Sequence, residues 1–322
     1  KKHEAWTMDG KVGWWNRKEG QPFFSVFNHN DSHQSRTMSW SFEKYETMVL
    51  ANLGPEQTIR DDQFAMPPFL KDSPEMRKQF ARVYNSIRLT DIRIGELLKR
   101  LEADGLRDDT IIFLYADHGE GMPRGKQNGI NLSYQVPLII WIPEKFKHLS
   151  PWGPGGVVTD ELVSFEDLAP TVISLAGGTV PDHMNGRILM GENRSKPTDH
   201  LVLSSDRCDN GVDLVRTVVD GDWFYARNFM AYMPEENYKS YSEISEIMQQ
   251  MRRDLAAGEL NAFQKSLFVP REPEFLFNLK DDPWEEVNLA NDPAHQAQLK
   301  KMRRQLNTEM RAARDVLFLP EY

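Results

Sequence analysis

The chain has 322 residues, 40% of them hydrophobic, with eight Trp among 11% aromatics, which is ample core material and argues against a disordered polymer. Thirty-nine basic against 48 acidic side chains give a formal charge of −9; this repels polyanions and disfavours generic nucleic-acid binding, so an anionic ligand needs a local basic patch, with Arg36, Arg124, Lys126, Arg207 and Arg216 as candidates. The single cysteine, Cys208, excludes an intrachain disulfide framework and a cysteine-based zinc site, and the longest apolar runs fall short of the ~18 residues that suggest a membrane span.

The opening "KKHEAWTMDGKVGWWNRKEG" lacks the apolar stretch and small-residue cleavage site of a signal peptide and carries no initiating Met, which fits either a mature product or part of something longer. "PFFSVFN" (22–28) reads as a buried strand that runs into the polar, histidine-bearing loop "HNDSHQSR". From 37 to 72 the periodicity is poor and prolines cluster, which predicts a long irregular connection. Ser73 as N-cap, Pro74 as first helical residue and Gly105 past the end bound a long helix. Phe80, Tyr84, Ile87, Asp91, Ile94, Leu98 and Leu101 form its expected apolar stripe, with Asp91 an intruder that needs a partner.

"TIIFLYA" (110–116) and "VPLIIWIP" (136–143) have the continuous apolar character of strands covered on both faces, and "SFEDLAPTVISLAGG" reads as a helix capped by Ser164 and ended by the glycine pair. After about residue 198, "HLVLSSD", "LVRTVVDGDWFYARNF" and "EFLFNL" predict an antiparallel sheet with a hairpin at "DGD", covered by a final helix over "AHQAQLKKMRRQLNTEMRAARDVL". The order of elements implies a layered α/β sheet over residues 1–197 and a smaller α+β subdomain over 198–322.

Asp117 and His118 stand where the first of those apolar runs stops, the carboxyl end of a strand, where ligands gather in open α/β sheets. Both can reach one metal ion only if the chain turns there, and Gly119 permits a turn. Carboxylate with imidazole suits Zn, Mn or Fe. An Asp capping a turn beside a surface His explains the three residues "DHG" equally well.

The longer stretch "VYNSIRLTDIRIGELLKRLEADGLRDDTIIFLYADHGEG", followed by "GKQNGINLSYQVPLIIWIPE", resembles the sulfatase family of the alkaline phosphatase superfamily. "QPFFSVFNHNDSHQSR" is similar to the family's upstream strand and histidine loop, and "EFLFNLKDDPWEEVNLA" to its late signature. The resemblance covers nearly the whole chain, and "HQSR" with "SSDRCDNGVDLVRTV" is most like the sulfatases related to N-sulfoglucosamine sulfohydrolase.

The resemblance implies an alkaline-phosphatase-like α/β/α layered sheet and hydrolysis of the sulfate ester or N-sulfate of a sugar, glycosaminoglycan-derived sugars included. Asp117 and His118 fall on the family's second pair of metal ligands. The usual metal there is Ca2+; His118 stands where many members have Asn, which admits Mn2+ or Zn2+. Lys126, after Gly125, matches the lysine that contacts the sulfate and leaving-group oxygens, although any lone loop lysine is by default solvated. His33 matches the loop histidine that helps to protonate the departing oxygen, a task suited to an imidazole; His29 is its competitor and reads as structural. Arg36, Arg207 and Asp209 could grip a sugar or an anionic neighbour, and surface salt bridges explain them about as well.

Sulfatases attack sulfur with a formylglycine made in a Cys/Ser-x-Pro-x-Arg motif, and an earlier Asp-Asp supplies their remaining metal ligands. Cys208 lies in "DRCDNG", "SPEMR" has its proline misplaced, and no Asp-Asp follows an opening strand. Both motifs belong upstream of "PFFSVFN", so the expectation is that the N-terminal portion of the domain, nucleophile included, lies outside this sequence. The family favours a periplasmic, secreted or lysosomal location, no nucleic-acid partner and no membrane span. Two alternatives remain: a metal-dependent phosphonate monoester or phosphodiester hydrolase of the same superfamily, and a non-catalytic glycan-binding remnant.

Overall fold

A computed structural model describes residues 12–208 and 210–316. Its longest element is helix α1, Pro74–Ala103, which begins as the sequence implies: the Ser73 side chain accepts from the Met76 N–H, Pro74 opens the first turn, and Gly105 follows at φ 70°. The buried face differs from the expected stripe. Met76, Phe80, Val83 and Leu89 are buried with Arg82, Asn85 and Ser86, whereas Ile87 and Leu98 are exposed. Asp91 faces water and pairs with Arg88 at 3.1 Å, so it intrudes on nothing. The helix turned its face because its polar residues found backbone partners: Arg82 donates to the carbonyls of Arg36 and Trp40, and Asn85 donates to Ile59 and accepts from it.

The segment expected to be irregular is partly helical. Phe42–Tyr45, Glu46–Leu50 in π geometry and Ala51–Leu53 run on without a break, and Tyr45, Val49 and Leu53 pack on Leu89. "PFFSVFN" lies in no helix or strand and, among the described residues, pairs with none; Phe23 and Phe27 lie on Trp14, whose indole N–H donates to Asp104 at 2.7 Å, while Phe24 and Val26 are exposed. Its alternation is that of a strand, yet a strand exists only where a neighbour takes its hydrogen bonds.

β1, Ile112–Tyr115, and β2, Leu138–Trp141, form a two-stranded antiparallel sheet with Phe113 opposite Ile140. Leu114, Tyr115, Ile139 and Trp141 are exposed, so among the described residues these strands are not covered on both faces. α2, Leu168–Leu175, follows the Ser164 capping box and ends before Gly177 at φ 78°.

β3, Leu201–Cys208, β4, Gly211–Asp220, β5, Trp223–Asn228, and β6, Glu274–Asn278, form an antiparallel sheet in the order β3-β4-β5-β6, turning at Gly221. α4, Gln296–Ala312, lays Leu299, Met302, Leu306 and Met310 over Val218, Tyr225 and Leu276, each side chain contributing about 1.5–3 kcal/mol by leaving water. On the opposite face Val215 and Phe224 meet Tyr134. Helix α3, Glu246–Ala257, leaves this sheet and packs Ile247 and Met251 against Met76, Phe80 and Val83 of α1.

Candidate active site

Asp117 and His118 leave the carboxyl end of β1 in a bend, and Gly119 is required by crowding rather than by handedness: a Cβ there would lie 2.1 Å from the Leu132 carbonyl oxygen. The Asp117 carboxylate is largely in water, and its Oδ1 lies 3.6 Å from His118 Nε2. His118 Nδ1 is 2.8 Å from the Gly119 carbonyl oxygen. That oxygen can only accept, so Nδ1 carries the proton and Nε2, on the side of Asp117, is the nitrogen placed to ligate a metal. The two groups thus fit as two ligands of one cation. Among the described residues no group of three His, Cys, Asp or Glu side chains converges on such a point.

His33 has the opposite tautomer. The Ser35 N–H donates to its Nδ1 at 3.2 Å, and the Ser35 hydroxyl, itself accepting from Arg36 Nη1 at 2.9 Å, lies 3.0 Å from the same nitrogen. Nδ1 is therefore an acceptor, and Nε2–H is the group free to donate. Burial, then the charges of Lys126, Arg36 and His118, hold the imidazole below its ordinary value, against an opposing pull from Asp117. His33, Lys126, Asp117 and His118 therefore share one electrostatic neighbourhood, although 93 residues separate His33 from Lys126.

Arg36 is in that neighbourhood but engaged: it stacks on Trp40 with its guanidinium 4.1 Å from the ring centroid and reaches Asp31 at 4.0 Å. Two candidates for a basic patch are removed. Arg124 is buried against Glu235 at 2.7 Å, and Arg216 is buried between Asp206 and Asp315; both cations are neutralised where they stand. Arg207 is exposed near the end of β3, opposite Val212. Asp209 lies outside the described residues. His29 is half-buried, and among the described residues its Nε2 has no hydrogen-bond partner.

A polar layer that sequence reasoning missed lies by the Lys126 loop: Glu235, Glu236, Asn237 and Lys239 are all buried, and so are Asn128 and Glu285. Glu285 takes the Asn131 N–H on both oxygens at 3.1 Å, and burial pushes its carboxyl up to about 7. Burial likewise pushes Glu120 up to about 7, eased by the Gly121 N–H and by Lys126.

Residues 7–178 match the sulfatase family model. The chain is 33% identical over 345 residues to an ulvan-active sulfatase of Formosa agariphila, covering 98% of this chain and 56% of that protein. It is 24% identical over 298 residues to the N-sulphoglucosamine sulphohydrolase of Homo sapiens, covering 88% of this chain and 55% of that one. The chain thus spans about half the length of these relatives. Among solved structures, a 2-O GAG sulfatase superposes with a TM-score of 0.57 at 17% identity, over 94% of this chain and 68% of that one. This likeness places the α/β architecture in the alkaline-phosphatase-like fold.

Proposed function

The chain belongs to the sulfatase family, and from that premise we propose that it is the larger part of an enzyme that hydrolyses the sulfate of a sugar. What supports the reading is that the charges of Lys126, His118 and Asp117 are all felt at His33, with Asp117 Oδ1 3.6 Å from His118 Nε2. A pure glycan binder has no use for a donor imidazole and a half-buried ammonium beside two metal-ligand groups.

In this reading Asp117 Oδ1 and His118 Nε2 hold a divalent cation, Ca2+ by family habit or Mn2+ or Zn2+ where the imidazole is preferred. When bound, the ion supplies positive charge to the sulfate oxygens. Lys126 places its ammonium against the oxygens of sulfate and leaving group. His33, whose imidazolium is disfavoured, hydrogen-bonds through its Nε2–H to the departing oxygen and stabilises the charge that develops there, while Ser35 and Arg36 fix the ring from the other side. The formylglycine nucleophile and the remaining metal ligands come from polypeptide outside these residues. Arg36 contributes to the positive field at the sulfate, and Arg207 and Asp209 contact the sugar.

That its relatives include an ulvan-active sulfatase and an N-sulphoglucosamine sulphohydrolase supports a polysaccharide-derived or amino-sugar sulfate as substrate. The test is hydrolysis of an aryl sulfate, a phosphonate monoester and sulfated sugars by the full-length polypeptide, before and after chelation. Sulfate-ester turnover that chelation abolishes is the expected result; preference for the phosphonate overturns the reading.

A further inference from the structure

Lys126 is half-exposed on a loop whose other side is buried, and the residues two before and two after it share one anchor. Glu236 Oε1 accepts from the Arg124 N–H at 2.5 Å and from Asn128 Nδ2 at 3.2 Å. Lys239 Nζ completes the bracket by donating to Asn128 Oδ1 at 3.2 Å. Arg124 adopts φ 63°, a left-handed backbone costly for a residue with a side chain. Its guanidinium is held by Glu235 and by the Trp284 carbonyl oxygen. Gly125 leaves no room for drift, since a Cβ would lie 1.7 Å from the Glu120 carbonyl oxygen. At the loop's start, Gly121 packs on the side chain of Gln34, the neighbour of His33.

The niche between this loop, Glu236, Lys239 and Ser242 has room for about one water and not for a sugar ring. That argues against a second ligand pocket and for a clamp.

We propose that Glu236 is a positioning residue that sets Lys126 against His33 by holding the Arg124 N–H and the Asn128 amide on one carboxylate oxygen. The inference rests on the role given to Lys126 above. A single fixed acceptor shared by both flanks fixes the course of the loop on either side of Lys126, and so the point from which its side chain starts. Its partner loop is fixed separately, through Arg82 to the carbonyls of Arg36 and Trp40.

The test uses the full-length polypeptide. Glu236→Ala should lower kcat by about 10²-fold, the scale of a misplacement near 1 Å, yet add little further loss in a Lys126→Ala background. Glu236→Gln keeps an acceptor oxygen and should restore most of the turnover, which it would not do if Glu236 served only as a charge partner of Lys239. Amides of residues 121–128 should exchange hydrogen faster in Glu236→Ala and at the wild-type rate in Glu236→Gln. Asn128→Ala, which removes one flank and leaves the buried charges paired, should give a smaller effect of the same kind and guards against a failure of Glu236→Ala to fold. Equal losses in both Lys126 backgrounds, or unchanged exchange over 121–128, overturn the proposal. Absence of sulfate-ester turnover in the wild type would instead overturn the role of Lys126, with the exchange measurement still deciding whether Glu236 holds the loop.

Discussion

Val218, toward the end of β4, has no exposed surface, whereas Ile139, on β2, keeps 58% of its own in water. The four-stranded sheet has α4 on one face and the Tyr134 segment on the other; the two-stranded sheet has open apolar faces, and from the end of its β1 hang Asp117 and His118. In the proposed reading stability and chemistry are housed apart: the proposed reacting groups sit on lightly buried structure, and the buried sheet holds the loop between them, Ser205 donating to the Gln127 carbonyl at 3.0 Å and Thr217 to that of Gly129 at 3.4 Å.

That separation can be broken in order of effect. Asp117→Ala in the full-length polypeptide should cost turnover about 10³-fold while leaving the thermal midpoint in place; a midpoint lowered by many degrees would show that the strand end carries fold as well as chemistry. Met302→Ala, under the four-stranded sheet, should cost about 2–5 kcal/mol in urea unfolding with the specific activity of the folded fraction intact. A smaller effect concerns pH. Glu285 is raised from 4.5 to about 7, so the folded chain retains a proton that the unfolded chain loses, and stability falls as pH rises from 4.5 to about 7, then levels. Glu285→Gln should shallow that slope without abolishing it, because Glu120 acts in the same sense; unfolding midpoints across the interval check this. Ile139→Thr, on the open sheet, should change stability by no more than about 0.5 kcal/mol in the same assay.

What the sequence made legible was local. Ser73, Pro74 and Gly105 bound α1 because caps are written in adjacent residues, and the "DGD" hairpin sits where its glycine requires. Asp117, His118 and Lys126 are singled out by their motif, and the structure adds the Nδ1 partners of His118 and His33. What escaped was long-range. The buried face of α1 depends on carbonyls from residues 36, 40 and 59. The helical run after Phe42 lacks the stripe that would announce it, since its contact is the single row formed with Leu89. Glu236 reads as a surface acid because its partners, Arg124 and Asn128, lie 112 and 108 residues away.

The open β1–β2 sheet also governs how these 322 residues would behave as a preparation. Trp141, Ile139 and Leu114 on one short antiparallel pair form an adhesive surface whose strand edges pair with no further strand among the described residues. Light scattering should therefore rise with concentration well before any melting, and a low specific activity in such a sample would report its colloidal state before its chemistry.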